Sequence, residues 1–435
     1  MTALAARPPS APAGAASETI VPAGGWRYGL MGFPLAFVAL PLYVLLPHFY
    51  AQSFGVPLAI LGALLLGVRL LDAFIDPLLG RWCDRLYARS STSALHWAAV
   101  LSVAMALGFV SLFFPPVQAM PELLVWAGAG LLLTTIAYSA LTILHQSWGA
   151  RWGGDAVQRS RIVAWREGCG VLGVVTASVA PGVLGWTGTS LLFATALTCA
   201  YAAWRRAPAP DLLPTDTGRQ ATASALWHPF SKPRFRRLLL VFLVNGIASA
   251  VPATLVLFFV QDRLQVPASQ QSLFLGAYFV SAALAIPFWL RCVPRIGMGR
   301  TWGVGMLLSV ATFLFAAQLG AGDSSAFVVV CVLSGAALGT DLALPAALLA
   351  GVIGEDGDQG QAEGLYFGWW NFVTKLNLAL AAGLALPALQ AWGYAPGARS
   401  EEALQALTFA YCLLPCALKT LAAALLYGLI LRKEP

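Results

Sequence analysis

Residues 69 to 85, Arg69-Leu-Leu-Asp-Ala-Phe-Ile-Asp-Pro-Leu-Leu-Gly-Arg-Trp-Cys-Asp-Arg85, set three ionisable side chains inside an apolar run that begins near Pro57. An ion in such a run is costly without a partner or water, so its presence points to function. Arg69, Asp72 and Asp76 recur at offsets of three, four and seven, which puts them on one helical face. The two carboxylates lie about 6 Å apart along the axis.

The surrounding composition fixes the environment of that helix. The chain has 435 residues, of which 59% are hydrophobic and 10% charged, and its mean hydropathy is +0.74. An ordinary soluble domain carries far more charge. A bilayer core about 30 Å thick needs roughly 20 apolar residues per helix, and the chain holds about twelve such runs. Runs such as Leu123 to Leu144 do not alternate, which excludes a transmembrane β-barrel.

Spans are expected at about 28–50, 58–80, 94–115, 121–148, 162–184 and 187–204, then at about 236–260, 270–291, 299–320, 325–352, 363–390 and 403–431. The fold class is therefore an all-α polytopic membrane protein of about 12 transmembrane helices in two six-helix halves, the arrangement of the major facilitator fold. The domain boundaries read as a disordered tail (1–25), an N-terminal half (26–205), a linker (206–235) and a C-terminal half (236–435). The tail is rich in Ala and Pro and lacks a signal-peptide pattern.

The net charge of +7 reports orientation and no nucleic-acid partner, because the basic residues cluster in alternate loops. The loops between carry little more than Arg263 and Arg399. The positive-inside rule then places both termini and the linker in the cytoplasm of a bacterial-type inner membrane. The seven cysteines and four histidines show no disulfide, zinc or metalloprotease spacing. With no recognisable nucleophile, metal cluster or cofactor loop, an enzyme is not expected. The expected partners are the lipid bilayer and a small-molecule solute, with the chain acting as a monomer.

Two motifs sharpen the reading. Gly80, Asp84 and Arg85 form G-x-x-x-D-R after the second span, which resembles the loop signature of the major facilitator superfamily. It is expected to act as a cytoplasmic gate through close helix approach and charge-assisted contacts. Extended backwards it becomes R-x-x-D-x-x-x-D-P-x-x-G-x-x-x-D-R, which resembles the glycoside-pentoside-hexuronide:cation symporters, the family of melibiose permease. The second motif, Glu363-Gly-Leu-Tyr-Phe-Gly-Trp-Trp-Asn-Phe-Val-Thr-Lys375, resembles the same family's eleventh span.

The resemblance implies that Asp72 and Asp76 bind the coupling cation, with Arg69 and Lys375 shaping that site. Independently, Phe367, Asn371, Thr374 and Lys375 share a helical face, and a buried lysine needs a counter-charge that the acidic pair supplies. Two positive charges then face two negative ones. The coupling ion is a sodium ion, for which Asp72 and Asp76 are the metal ligands, or a proton on a carboxyl group; no other cofactor is expected.

Solute-binding candidates are less sharply marked. Tyr138, Thr142 and Gln146 share one face of the fourth span with His145, which is expected to be packed or hydrogen-bonded and no proton carrier. Arg166 matches the family's sugar-contacting arginine, although Glu167 beside it offers a local pair. Melibiose permease holds its sugar with aspartates on the first and fourth spans, where this chain has Ala36 and Thr142. Asp341, outside the family pattern, suits a hydroxylated or cationic solute group, or pairs with a basic residue in the bundle. Asn371 completes the set. The expected function is cation-coupled symport of a sugar or glycoside by alternating access. Transport of a lysolipid or another amphipathic solute, and solute sensing without transport, stay open as alternatives.

Overall fold

The computed structural model describes residues 24–210, 225–394 and 397–433. Most of the expected tail and the middle of the linker lie outside the described residues. The described chain is helical and contains no strand. Its twelve long helical segments are α1 (25–54), α2 (Leu58–Arg89), α3 (Ser91–Phe113), α4 (Met120–Arg151), α5 (156–184), α6 (186–204), α7 (Pro233–Arg263), α8 (Ala268–Ile296), α9 (Met298–Ala316), α10 (Ser324–Glu355), α11 (Glu363–Ala391) and α12 (Glu401–Leu429); among the described residues eight helices, with α5 and α6 counted as one, are long and apolar enough to cross a membrane. A short turn, His228–Ser231, leads into α7. The fold is that of a polytopic membrane protein of the major facilitator type, two six-helix halves joined by one long linker.

Local sequence explains the boundaries. Helix continues from Ala156 to Trp204 except at Gly185, where φ is +65°. That left-handed conformation is one glycine adopts without a Cβ penalty, so the chain folds back there and makes α5 and α6. Ser90 lies between α2 and α3 with extended backbone, and its hydroxyl accepts from Ser93 N, capping α3. No breaker lies between Gly80 and Arg89, so α2 runs on past the expected end of the span near residue 80. Asp84 and Arg85, expected in a loop, are therefore helical, and the gate motif sits on a rigid rod.

Large apolar side chains such as Phe74 (68% exposed), Val125 (73%) and Leu284 (74%) point outward, as lipid-facing residues of a membrane bundle do. We call the face bearing the linker and the outer ends of α1 and α12 the linker face, and the opposite one the far face. One apolar core runs through the N-terminal half and across the linker-face part of the C-terminal half. The far part of the C-terminal half packs around a separate core that includes Leu255, Phe259, Phe327 and Leu407. The halves share packing near the linker face, and this positions the site described next.

Candidate functional site

Three helices converge on one ammonium group. Lys375 of α11 places Nζ 2.7 Å from Asp72 Oδ2 and 2.7 Å from Asp76 Oδ2, both on α2. It also donates to Asp76 Oδ1 at 2.8 Å and to the Ser139 hydroxyl of α4 at 2.8 Å. Ser139 passes the contact on by donating to Asp72 Oδ1 at 2.8 Å. Both carboxylates are fully buried, as the spacing of four on α2 requires once that face turns inward.

The arrangement is an oxygen nest around a monovalent positive charge. Lysine has three N–H donors and no acceptor, and carboxylate and hydroxyl oxygens surround it. Two carboxylates and one lysine make up this inner cluster, and Arg69, half-buried one turn away on α2, adds a second positive charge nearby. Breaking one partner of a buried ion set leaves an uncompensated charge, so the cluster ties α2 and α4 of one half to α11 of the other. Among the described residues no group of three His, Cys, Asp or Glu side chains is arranged as a metal centre.

A second set of contacts joins the halves nearer the linker face. Asp84 of α2 accepts from the backbone N–H of Gly364 at 2.7 Å and of Leu365 at 2.8 Å, in the first turn of α11. A carboxylate there meets free donors and the positive end of the helix dipole. Arg151, the last residue of α4, lies 3.1 Å from Asp84 and 2.8 Å from Glu363, donates to Gly360 O at 2.7 Å and covers the Tyr87 ring at 4.4 Å. Burial pushes the Asp84 carboxyl up to about 7, against the pull of Arg151; Glu363 adds to the rise and the two backbone donors oppose it.

Helix approach makes those bonds reachable. A Cβ on Gly80 would lie 2.2 Å from Gly364 O, and one on Gly364 would lie 2.4 Å from Gly80 O. Only glycine fits at this crossing of α2 and α11. Arg85, assigned to the gate by its motif, is exposed; the guanidinium at the contact belongs to Arg151.

The expected solute residues fall into separate places. Tyr138 and Thr142 are half-buried on α4, and Asn371 is half-buried one turn before Lys375. Gln146 and Arg166 line a small space between the halves with Tyr28 and Phe367. Arg166 also pairs with the adjacent Glu167. His145 is fully buried, stacked on Tyr28 at 4.0 Å with Nε2 2.9 Å from Tyr28 O, and so belongs to the packing of α1 against α4.

Asp341 lies apart from all of these, within the C-terminal half. Its Oδ2 is 2.6 Å from Lys419 Nζ of α12 and accepts from Ser249 at 3.3 Å. Its Oδ1 accepts from Asn245 at 3.0 Å and from Trp302 Nε1 at 2.8 Å. Lys419 also donates to Asn245 Oδ1 at 2.8 Å. Beside this network opens a cavity of about 180 Å³ lined by Asp341, Lys419 and mostly apolar side chains.

Several of these partners escape sequence reading. Ser139 is an ordinary helix residue, marked only by its place on α4. Arg151 reads as one more positive-inside charge, although terminating a helix of 32 residues puts it where helix ends meet. Asn245 and Trp302 carry no charge to betray a membrane-buried role.

The chain matches the family described as MFS/sugar transport protein over residues 25–432. It is 24% identical to an isoprimeverose transporter of Lactiplantibacillus pentosus, with 99% of this chain and 93% of that protein covered. It is 28% identical to the putative glycoside/cation symporter YagG of Escherichia coli (strain K12), over 32% of this chain and 30% of that one. In structure it is similar to a bacterial homologue of the iron transporter ferroportin in an outward-facing state, with a TM-score of 0.69, 15% identity, and 93% of this chain and 98% of that one covered. The last likeness concerns the fold alone.

Proposed function

This chain belongs to the MFS/sugar transport protein family, and we propose that it is a cation-coupled symporter of a sugar or glycoside, working by alternating access. It is an integral membrane secondary transporter; the coupling and the solute are the proposal. The observation that carries the coupling is the position of Lys375 Nζ, held within 2.8 Å of Asp72, Asp76 and Ser139 across the two halves.

An internal ammonium there competes with an external cation for the same oxygens. A sodium ion accepted by the acidic pair, or a proton taken by one carboxyl, lowers the attraction for Lys375 and loosens α11 from α2. The reverse also holds, because linkage is reciprocal: release of the cation restores the lock. The linker face, which the charge distribution assigns to the cytoplasm, is closed by the Asp84, Arg151 and Glu363 contacts. In this state the solute enters from the far face.

A carbohydrate solute is supported by the family and by the similarity to an isoprimeverose transporter and a glycoside/cation symporter. The test is uptake of isoprimeverose and simple aryl glycosides into vesicles holding the purified protein, under an imposed sodium or proton gradient. Accumulation driven by one of these gradients, and lost in Asp76→Asn, is expected. Uptake that ignores both gradients contradicts the coupling.

A further inference from the structure

The buried ion set of the C-terminal half is internally balanced, and that balance has a chemical consequence. Around Lys375, two carboxylates face one ammonium, with Arg69 one turn away on α2. Around Lys419, one carboxylate faces one ammonium, with Asn245, Ser249 and Trp302 supplying neutral hydrogen bonds. An ion entering this second set would arrive without a counter-charge, whereas a neutral ligand leaves it balanced.

The second set is reachable. Asp341 and Lys419 both line the cavity of about 180 Å³, far above the ~10–15 Å³ a single water needs. Among the described residues Lys419 donates to Asp341 and Asn245, which leaves one of its three N–H donors for the cavity. Ser249 adds a hydroxyl, and the walls are apolar and aromatic, with Pro252, Val256, Phe274, Phe313 and Tyr411. Such a site, mostly apolar with a few convergent polar groups, suits a ligand of matching polarity.

We infer that this cavity, lined in part by Asp341 and Lys419, is a solute subsite for the hydroxyl groups and apolar portion of a neutral glycoside. A ligand hydroxyl accepts from the remaining ammonium N–H and donates to Asp341 Oδ2 in place of Ser249, whose contact at 3.3 Å is the longest of the four that Asp341 accepts. The apolar part of the same molecule covers the aromatic wall. Every lining residue belongs to the C-terminal half, between Ala248 and Lys419. Lys375 is twelve residues into α11 from the linker face and Asp341 fourteen from that end of α10, about 18 and 21 Å of helix. Cation cluster and subsite thus lie at similar depth, and solute held in one half is positioned to answer a change in the other. The inference rests on the transport reading above.

Titration calorimetry of the purified full-length protein in detergent, using 4-nitrophenyl xyloside, glucoside and galactoside, tests it. At least one glycoside is expected to bind, with the matching free sugar at least tenfold weaker. Asp341→Leu combined with Lys419→Met, which removes both charges together, should weaken binding by at least tenfold. Ala253→Trp, which narrows the cavity wall without touching the ion pair, should do the same and covers the case in which the double variant fails to fold. Unchanged affinity in Ala253→Trp and in a folded double variant overturns the subsite, as does failure of all three glycosides to bind the wild-type protein or competition by tetraethylammonium or a lysophospholipid. Gradient-driven glycoside uptake that survives the double variant sinks the subsite and leaves coupling intact. Binding lost in these variants, with uptake indifferent to gradients, supports the subsite and sinks coupling.

Discussion

Lys375 of α11 and Asp76 of α2, 299 residues apart in the chain, meet at 2.7 Å in the interior of the bundle. With the equally short contact of Lys375 to Asp72 it ties the halves together, and it is made by two groups that neither half can leave alone. Whatever weakens it frees the halves to move, which is the property a coupling ion must exploit.

Removing the ammonium should therefore cost more than removing the pair. Lys375→Ala leaves two buried carboxylates without their shared partner, a change worth about 3–5 kcal/mol when one partner of a buried pair is lost. Asp76→Asn with Lys375→Met is expected to be closer to wild type in thermal unfolding, while both variants lose gradient-driven accumulation. Equal unfolding temperatures for Lys375→Ala and wild type would contradict this.

The crossing of Gly80 and Gly364 sets a steric requirement for closing the linker face. Gly80→Leu forces a side chain onto Gly364 O, which a Cβ alone would approach to 2.2 Å. Cysteines introduced on the linker face of α4 or α10 should then react with a membrane-impermeant thiol reagent at least tenfold faster than in the parent. An unchanged rate would mean that the glycine contact does not govern closure.

Closure should also depend on pH through Asp84. Its carboxyl rises to about 7 when closure buries it, from roughly 4 for an exposed aspartate. The closed form thus binds the proton more tightly. Its stabilisation from this group is complete below pH ~4 and is lost as pH rises through about 7. Thiol reactivity on the linker face should increase across that window. In Asp84→Asn the pH dependence should vanish, and persistence of the same profile would assign it to another group.

The Asp341 network predicts a graded series in stability. Trp302→Phe deletes one donor to a charged acceptor and should cost about 1.5–3 kcal/mol. Lys419→Met strands Asp341 and should cost about 3–5 kcal/mol, whereas adding Asp341→Leu should recover most of that loss. Thermal unfolding in detergent reads the order directly, and a double variant no better than the single one would contradict it.

Much of this was legible in residues 69–85. Charges that are costly in lipid announced an inward helical face, and the order of apolar runs and basic loops announced two six-helix halves. Their partners were harder to read. Sequence offers Lys375 through the need for a counter-charge, but it has no way to see that Ser139 completes the set, since a serine in a helix satisfies itself against its own backbone. Arg85 fits the gate motif, yet the continuing helix turns it outward and Arg151 takes the contact from another helix. Asp341 is conspicuous as an ion in an apolar run, while Asn245 and Trp302 become significant only when two further helices, α7 and α9, bring them to it.

The most direct measurement follows cation movement during solute entry. Vesicles containing the protein, with a pH indicator or a sodium indicator trapped inside, are given a glycoside in the absence of any cation gradient. Inward movement of sodium or protons that begins with glycoside addition, and is absent in Asp76→Asn, is the expected result. Glycoside entry with neither ion moving, or ion movement unchanged in Asp76→Asn, would contradict coupling through the Asp72, Asp76 and Lys375 cluster.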